Sequence, residues 1–170
     1  MTPEELKQGL EAARQRLLRA LAGVTEEQFK RRPPVASGDE EPWSIAEVLS
    51  HLLASERLWC ARIALALDKD GSAVTPSPPE AHAAGARAGR SVPVPQIIHG
   101  LLASRREADL LIDRAATMEG GLARAVWHSR LEARLTIEWM LQEKVIDHEQ
   151  EHGAQIESLR PLVGAPAVSS

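Results

Sequence analysis

Residues 136–160 read TIEWMLQEKVIDHEQEHGAQIESLR and carry the clearest helical pattern in the chain. At about 100° per residue, one side of such a helix collects an apolar stripe with two histidines in its middle. The stripe consists of Ile137, Leu141, Val145, His148, His152, Gln155 and Leu159. The pattern predicts a helix that Thr136 caps and Pro161 ends, with both histidines turned towards the core.

The spacing of His148 and His152 suits a metal ion. Residues at i and i+4 are neighbours on a helix, so the two ring nitrogens can converge on one point. Imidazoles in an apolar stripe also need partners, because a buried polar group without one costs about 1–3 kcal/mol. The alternative is a pair of core histidines bonded to glutamates or backbone carbonyls, and the helix alone leaves both interpretations open. Gly153 follows directly, and a mid-helix glycine indicates a close approach by a ligand or a neighbouring helix.

The composition predicts one helical domain that binds neither membranes nor nucleic acids. Of 170 residues 44% are hydrophobic, yet no apolar run approaches the roughly 20 residues of a membrane span. A net charge of −4, one phenylalanine and no tyrosine argue against a nucleic-acid binder. The charged N-terminus is unlike a signal peptide and a single cysteine fits a reducing compartment, so we expect a cytoplasmic protein.

Four long helices are expected, because capping signals and apolar stripes recur along the chain. Thr2 and Glu5 have the spacing of a capping box, which marks a helix start. Ser44 and Glu47 repeat that spacing. The expected helices cover residues 3–22, 44–67, 94–117 and 136–160. They predict an all-α four-helix bundle in one domain, residues 1–164, with a frayed tail at 165–170.

Three connections join these helices. Residues 33–42 are expected to form a loop. Residues 68–93 are rich in Gly, Pro, Ser and Ala, and a loop of this length is functional, disordered or a crossover between distant helix ends. Its His82 is expected to be solvated. Residues 122–135 are expected to form a connection with one or two short turns.

Two polar residues of the second helix are candidates for the site. Glu56 falls within the apolar stripe, where a carboxylate needs a partner. His51 lies on the flank of that stripe, so its own position does not single it out. Cys60 lies near the apolar side and is expected to behave as a small hydrophobe, not as a nucleophile.

Two segments resemble the DinB/YfiT-like superfamily of metalloenzymes. They are WSIAEVLSHL at residues 43–52 and HEQEH at residues 148–152. WHSRL at residues 127–131 is also similar to the family's approach to its last helix, although Glu132 and Ala133 stand where a glycine is common. The similarity in helix order covers nearly the whole chain.

The resemblance implies a four-helix bundle whose second and third helices run parallel, with residues 68–93 as the crossover. It also implies a divalent metal ion held by His51, His148 and His152, with zinc or nickel most common in the family. Characterised members include transferases and isomerases that use low-molecular-weight thiols such as bacillithiol or mycothiol. Many members resemble homodimers.

The implied ligand set suits catalysis. Three neutral imidazoles fit zinc, nickel, copper or iron, and the affinity order does not choose among these metals. Such a ligand set leaves coordination positions open, as catalytic zinc sites do. Water at such a position has a pKa near about 7, and a thiol there is held as thiolate. We therefore expect a metal-dependent transferase that joins a small thiol to an electrophile, or a hydrolase. The alternative is a non-catalytic, stress-related bundle in which a metal is incidental or absent.

Glu56 has two candidate roles beside such a metal. Each ligating histidine needs an acceptor for its second N–H, and Glu56 could be that acceptor or a general base. The alternative is an ion pair between Glu56 and a buried arginine, either Arg105 or Arg160.

Overall fold

The computed structural model describes residues 1–34 and 42–167, so parts of the expected loop at 33–42 and of the expected tail at 165–170 lie outside the described residues. The α-helices are α1 (Pro3–Leu21), α2 (Glu26–Lys30), α3 (Ile45–Asp68), α4 (Pro79–Ala88), α5 (Val94–Ala116), α6 (Ile137–Leu141) and α7 (Asp147–Leu159). The strands are β1 (Ser72–Val74), β2 (Ala125–His128) and β3 (Ala133–Thr136). The four long helices of the prediction are α1, α3, α5 and the run from α6 to α7. Within the described ranges, no helix is long and apolar enough to cross a membrane.

Capping side chains begin α1 and α3 where the sequence predicted. The Thr2 hydroxyl accepts the Glu5 N–H at 3.1 Å, and the Glu5 carboxylate accepts the Thr2 N–H at 2.7 Å. Ser44 and Glu47 make the same exchange at 3.3 and 2.9 Å. These bonds satisfy N–H groups that the first helical turn leaves unpaired. The start of α3 is thereby fixed about two turns before His51.

Apolar side chains fill two regions of the bundle core, and charged residues lie between them along each long helix. In α1, Leu10 belongs to one apolar cluster and Leu17 to the other. In α5, Ile112 belongs to the same cluster as Leu10, and Leu101 belongs to the same cluster as Leu17. Each long helix places one buried charged residue between its apolar groups, and these are Arg14, Glu56, Arg105 and Glu149. The core therefore contains a buried layer of two cations and two anions.

A small sheet joins the bundle, and the sequence did not predict it. β2 pairs in parallel with β1 and antiparallel with β3. The connection expected at residues 122–135 is therefore mostly a hairpin. Its strands of 4 residues are too short to show an alternating pattern. In the turn, Glu132 has a φ of +48°, a left-handed conformation that explains why glycine suits this position.

The crossover at residues 68–93 contains β1 and α4 and is not a structureless loop. α4 packs closely on α3, because a Cβ added to Gly85 would lie 3.0 Å from the Ala54 Cβ. The Ser50 hydroxyl donates a hydrogen bond of 2.7 Å to the Gly85 carbonyl. This contact brings His82, which is exposed as expected, over the face of α3 that carries His51.

The run from α6 to α7 is interrupted by a π-helical turn over Gln142–Ile146. The Asp147 N–H donates to the Gln142 carbonyl, five residues back, where an α-helix would use the fourth. One extra residue rotates the following side chains by about 100° relative to a continuous α-helix. The turn therefore changes which residues of α7 face the core.

The predicted stripe agrees with the buried residues that precede the π turn. After the turn, the buried residues are displaced by one position from the prediction. Ile137, Leu141 and Val145 are buried as expected. On α7 the buried residues are Glu149, Gly153, Ile156 and Leu159, and the residue after the helix, Arg160, is buried as well. In contrast, His148, His152 and Gln155 are partly exposed. The expectation that both histidines lie in the middle of the stripe is wrong. They lie on its flank, as His51 does on α3.

Candidate metal centre

Three imidazoles from α3 and α7 meet at one point. The Nε2 atom of His148 lies 3.2 Å from Nε2 of His51 and 3.1 Å from Nε2 of His152. The candidate ligand atoms of the three residues all lie within 4.8 Å of one another. The structure thus brings together the three histidines that the sequence and the family resemblance named.

The spacing of these nitrogens fits one shared cation. A Zn–N bond is about 2.0–2.1 Å long, so two imidazoles on one ion have nitrogens about 2.9–3.4 Å apart for angles between 90° and 109°. The two observed distances, 3.1 and 3.2 Å, fall inside that range. The same contacts are hard to satisfy without a cation. A neutral His148 has at most one hydrogen on Nε2 and faces two other ring nitrogens.

A hydrogen bond on Nδ1 of His152 leaves its Nε2 atom directed towards His148. Nδ1 of His152 lies 2.7 Å from Oε1 of Gln155. An amide oxygen only accepts, so His152 carries its hydrogen on Nδ1 and keeps a lone pair on Nε2. A hydrogen bond with the backbone of His82 acts on the His51 ring and raises its pKa, although burial and the neighbouring imidazoles outweigh this effect. Gln155 was placed on the histidine stripe by the sequence but not assigned a role; its i+3 spacing from His152 was the available signal.

Burial keeps the rings of His51 and His148 neutral. Burial, together with the neighbouring imidazoles of His152 and His82, lowers the pKa of His51 to about 4. Burial, together with His152 and His51, lowers the pKa of His148 to about 3. Metal ions bind the neutral imidazole, so these rings are in the binding form at neutral pH.

Glu56 belongs to the buried layer of charges and not to the histidine group. Its oxygens lie 3.4 Å from Nη2 of Arg14 and 3.6 Å from Nε of Arg105. In the part of the chain that the structure describes, no hydrogen bond joins it to the three histidines. Burial raises the pKa of Glu56, although both arginines lower it. These contacts agree with the expected pair between Glu56 and Arg105.

Two members of the charged layer, Arg14 and Glu149, were not predicted from the sequence. Glu149 lies 2.7 Å from Nε of Arg14 and also contacts Nη2 of Arg105. Nothing in a continuous helical pattern would have placed Glu149 in the core, because the π turn shifts it there. The other expected partner of Glu56 is wrong: Arg160 donates instead to the carbonyls of Ala20, Ala22 and Pro166.

A family model supports the resemblance noted in the sequence. The model of the DinB superfamily matches residues 9–156 of the chain. The chain belongs to the DinB superfamily. A comparison with curated proteins finds no match.

Two solved structures show the same fold as this DinB protein. YfiT from Bacillus subtilis, a probable metal-dependent hydrolase with an unusual four-helix bundle topology, is 20% identical with a TM-score of 0.77, over 96% of this chain and 89% of that chain. A mycothiol-dependent maleylpyruvate isomerase is 15% identical with a TM-score of 0.66, over 98% of this chain. This chain covers 62% of the isomerase, less than two thirds of its length. The comparisons confirm the predicted four-helix bundle.

A cavity of about 210 Å³ opens beside His51 of this DinB bundle. It is lined by His51, Ala54, Ser55, Leu58, Ala81 and His82. The His82 ring is exposed, but its centroid lies 5.7 Å from that of His51. The Trp43 ring lies on His51 as well, with centroids 5.1 Å apart. The crossover helix α4 therefore supplies one wall of a small, mostly apolar cavity next to the candidate metal centre.

Cys60 and Gly153 do not take part in this centre. Burial raises the pKa of the Cys60 thiol to about 12, so it behaves as the expected small hydrophobe. A Cβ added to Gly153 would lie 3.8 Å from Cγ of Arg16, which is ordinary contact. The close approach expected at Gly153 is therefore not tight enough to require glycine.

Proposed function

We propose that this DinB protein binds a divalent metal ion through His51, His148 and His152 and transfers a low-molecular-weight thiol to an electrophile. The observation that carries the proposal is the convergence of three Nε2 atoms at distances of 3.1 and 3.2 Å. Imidazole ligands suit zinc, nickel, copper and iron, and the family resemblance favours zinc or nickel.

The metal would supply a Lewis acid that holds a thiol as thiolate at neutral pH. The residues of the chain prepare the place for it. Gln155 fixes the tautomer of His152, and burial keeps His51 and His148 neutral. In the transfer, the thiol sulfur forms a bond to the electrophilic carbon, the leaving group departs with the bonding electron pair, and the thiol proton passes to solvent.

The size and lining of the cavity beside His51 suit a small, weakly polar electrophile. Its volume of about 210 Å³ lies below the roughly 300–1,000 Å³ of pockets for drug-sized ligands. Ala54, Leu58 and Ala81 make most of its wall apolar, and the Ser55 hydroxyl is a polar group within it. Among the described residues, no arginine, lysine or carboxylate lines this cavity, so we infer that the group entering it is uncharged.

A metal assay with a matched control tests the ligand set. His148→Ala and His152→Ala should each lose the metal that the wild-type protein retains, measured by elemental analysis of purified protein. His99→Ala is the control, because His99 is exposed on α5. It should keep the wild-type metal content. Equal metal content in all four proteins would remove the basis of the proposal.

A conjugation assay tests the chemistry. Metal-loaded protein is incubated with bacillithiol or mycothiol and a small chloro-substituted electrophile, and the conjugate is followed by mass spectrometry. Conjugation that is lost after chelation and restored by zinc or nickel is expected. Bound metal without any conjugate would favour the alternative of a non-catalytic bundle.

Two further expectations remain proposals by family likeness. We propose a homodimer, and light scattering on the purified protein measures it directly. Exposed apolar side chains that could contribute are Leu110, Leu131 and Leu162. We also propose a cytoplasmic location, which is consistent with the single, buried and unpaired Cys60.

A further inference from the structure

The helix that carries two of the three histidines could adopt a second register. A π turn is rare and less regular than an α-helix, and it persists only where surrounding contacts favour it. If residues 142–146 relaxed to α-helix, α7 would rotate by about 100° relative to α6. His148 and His152 would then move to the centre of the buried stripe. His51 lies on the flank of α3, so the three rings would no longer converge.

Glu149 makes the contacts that distinguish the two registers. Its carboxylate lies 2.7 Å from Nε of Arg14 on α1 and contacts Nη2 of Arg105 on α5. All three side chains are buried. A second polar contact spans the π turn itself: Nε2 of Gln142 donates 2.7 Å to Oδ1 of Asp147.

Rotation of α7 would leave the charged layer unbalanced. The layer holds two cations, Arg14 and Arg105, and two anions, Glu56 and Glu149. Without Glu149, Glu56 alone would face both arginines, at contacts of 3.4 and 3.6 Å that are the longer ones of the set. An uncompensated buried charge is strongly unfavourable, so the layer selects the π register.

We propose that Glu149 is a positioning residue for the three-histidine centre. Its ion pairs hold α7 in the register that turns His148 and His152 towards His51. The inference rests on the proposed metal site, because it concerns how that site is assembled. Glu149 acts through the orientation of α7 and contacts neither the metal nor a substrate.

Glu56 provides a matched control. It is a glutamate of the same buried layer, pairs with the same two arginines and is equally buried. It differs in its helix, because α3 is held by its capping box and by many buried apolar residues. Glu149→Gln and Glu56→Gln therefore both remove one buried negative charge, and only the first releases α7.

The test measures Zn²⁺ affinity by competition with a chromophoric chelator, together with the absorption bands of Co²⁺-loaded protein. Glu149→Gln should weaken Zn²⁺ binding by about 10- to 100-fold and change the Co²⁺ bands. Glu56→Gln should lower the melting temperature but stay within about 3-fold of wild-type affinity, with unchanged bands.

Each outcome decides the inference. Equal losses of affinity in the two variants, or wild-type affinity and bands in Glu149→Gln, would overturn it. Should Glu149→Gln fail to fold, Glu149→Asp replaces it, with an expected loss of about 3- to 10-fold. Wild-type affinity in that variant would overturn the inference equally. A wild-type protein that binds no Zn²⁺ would overturn the metal site itself, which separates the two failures.

Discussion

Deleting Glu143 should leave both the fold and the metal centre intact, although it removes a residue from the middle of a long helix. Glu143 is exposed and lies in the π turn, Gln142–Ile146. The turn contains one residue more than an α-helix would need. Without Glu143, a continuous α-helix keeps the buried faces of α6 and α7 on the same side. The buried positions are then three or four residues apart, as in a regular amphipathic helix.

The matched deletion is Glu151, which is also an exposed glutamate of the same helical run but lies within α7. Its loss rotates all later residues by about 100°. Ile156 and Leu159, which are 0% and 7% exposed, would leave the core. Burying such a side chain is worth about 1.5–3 kcal/mol, so this deletion should cost about 3–6 kcal/mol.

The two deletions are compared by urea denaturation and by Zn²⁺ competition. Deletion of Glu143 should change the free energy of unfolding by no more than about 1 kcal/mol, because no buried side chain changes its face. Its Zn²⁺ affinity should stay within about 3-fold of wild type. Deletion of Glu151 should abolish binding. Similar losses of stability and Zn²⁺ affinity in both deletion variants would refute the conclusion that the π turn contains one residue more than the helix needs.

Further predictions concern a ligand partner, a helix glycine and a buried carboxylate. Gln155→Ala removes the acceptor for Nδ1 of His152 and should weaken Zn²⁺ binding by about 10-fold in a chelator competition. Gly153→Ala should stabilise the protein by up to about 1 kcal/mol in urea denaturation, because α7 has room for a methyl group there. Burial raises the pKa of Glu47, but bonds from Arg32, Arg90 and Ser44 outweigh it and lower the pKa to about 2. Glu47 therefore contributes about 3 kcal/mol above pH 4.5 that is lost as the pH falls towards 2, and Glu47→Gln should flatten this part of the pH–stability curve.

The sequence predicted the bundle well because capping residues mark where its helices begin. Thr2 and Ser44 form their capping boxes as expected. The short strands β2 and β3 could not be predicted, because four residues are too few for an alternating pattern. α4 was missed because Gly85 lowers its helical propensity, and its close packing on Ala54 is a tertiary contact.

The sequence predicted the candidate site only in part, because the π turn changes which residues of α7 face the core. The i,i+4 spacing identified His148 and His152, but His51 was singled out by family resemblance alone. A continuous 3.6-residue period placed the pair at the core centre, and the π turn moves it to the flank. The same shift hid Glu149, whose burial follows from contacts with arginines on two other helices. No single-helix pattern contains that information.

X-ray absorption at the metal edge of Zn²⁺-loaded protein tests the metal centre most directly. Our account predicts a first shell with three imidazole nitrogens at about 2.0–2.1 Å, reduced to two in His51→Ala. A shell made of oxygen or sulfur ligands, or one unchanged by His51→Ala, would contradict it.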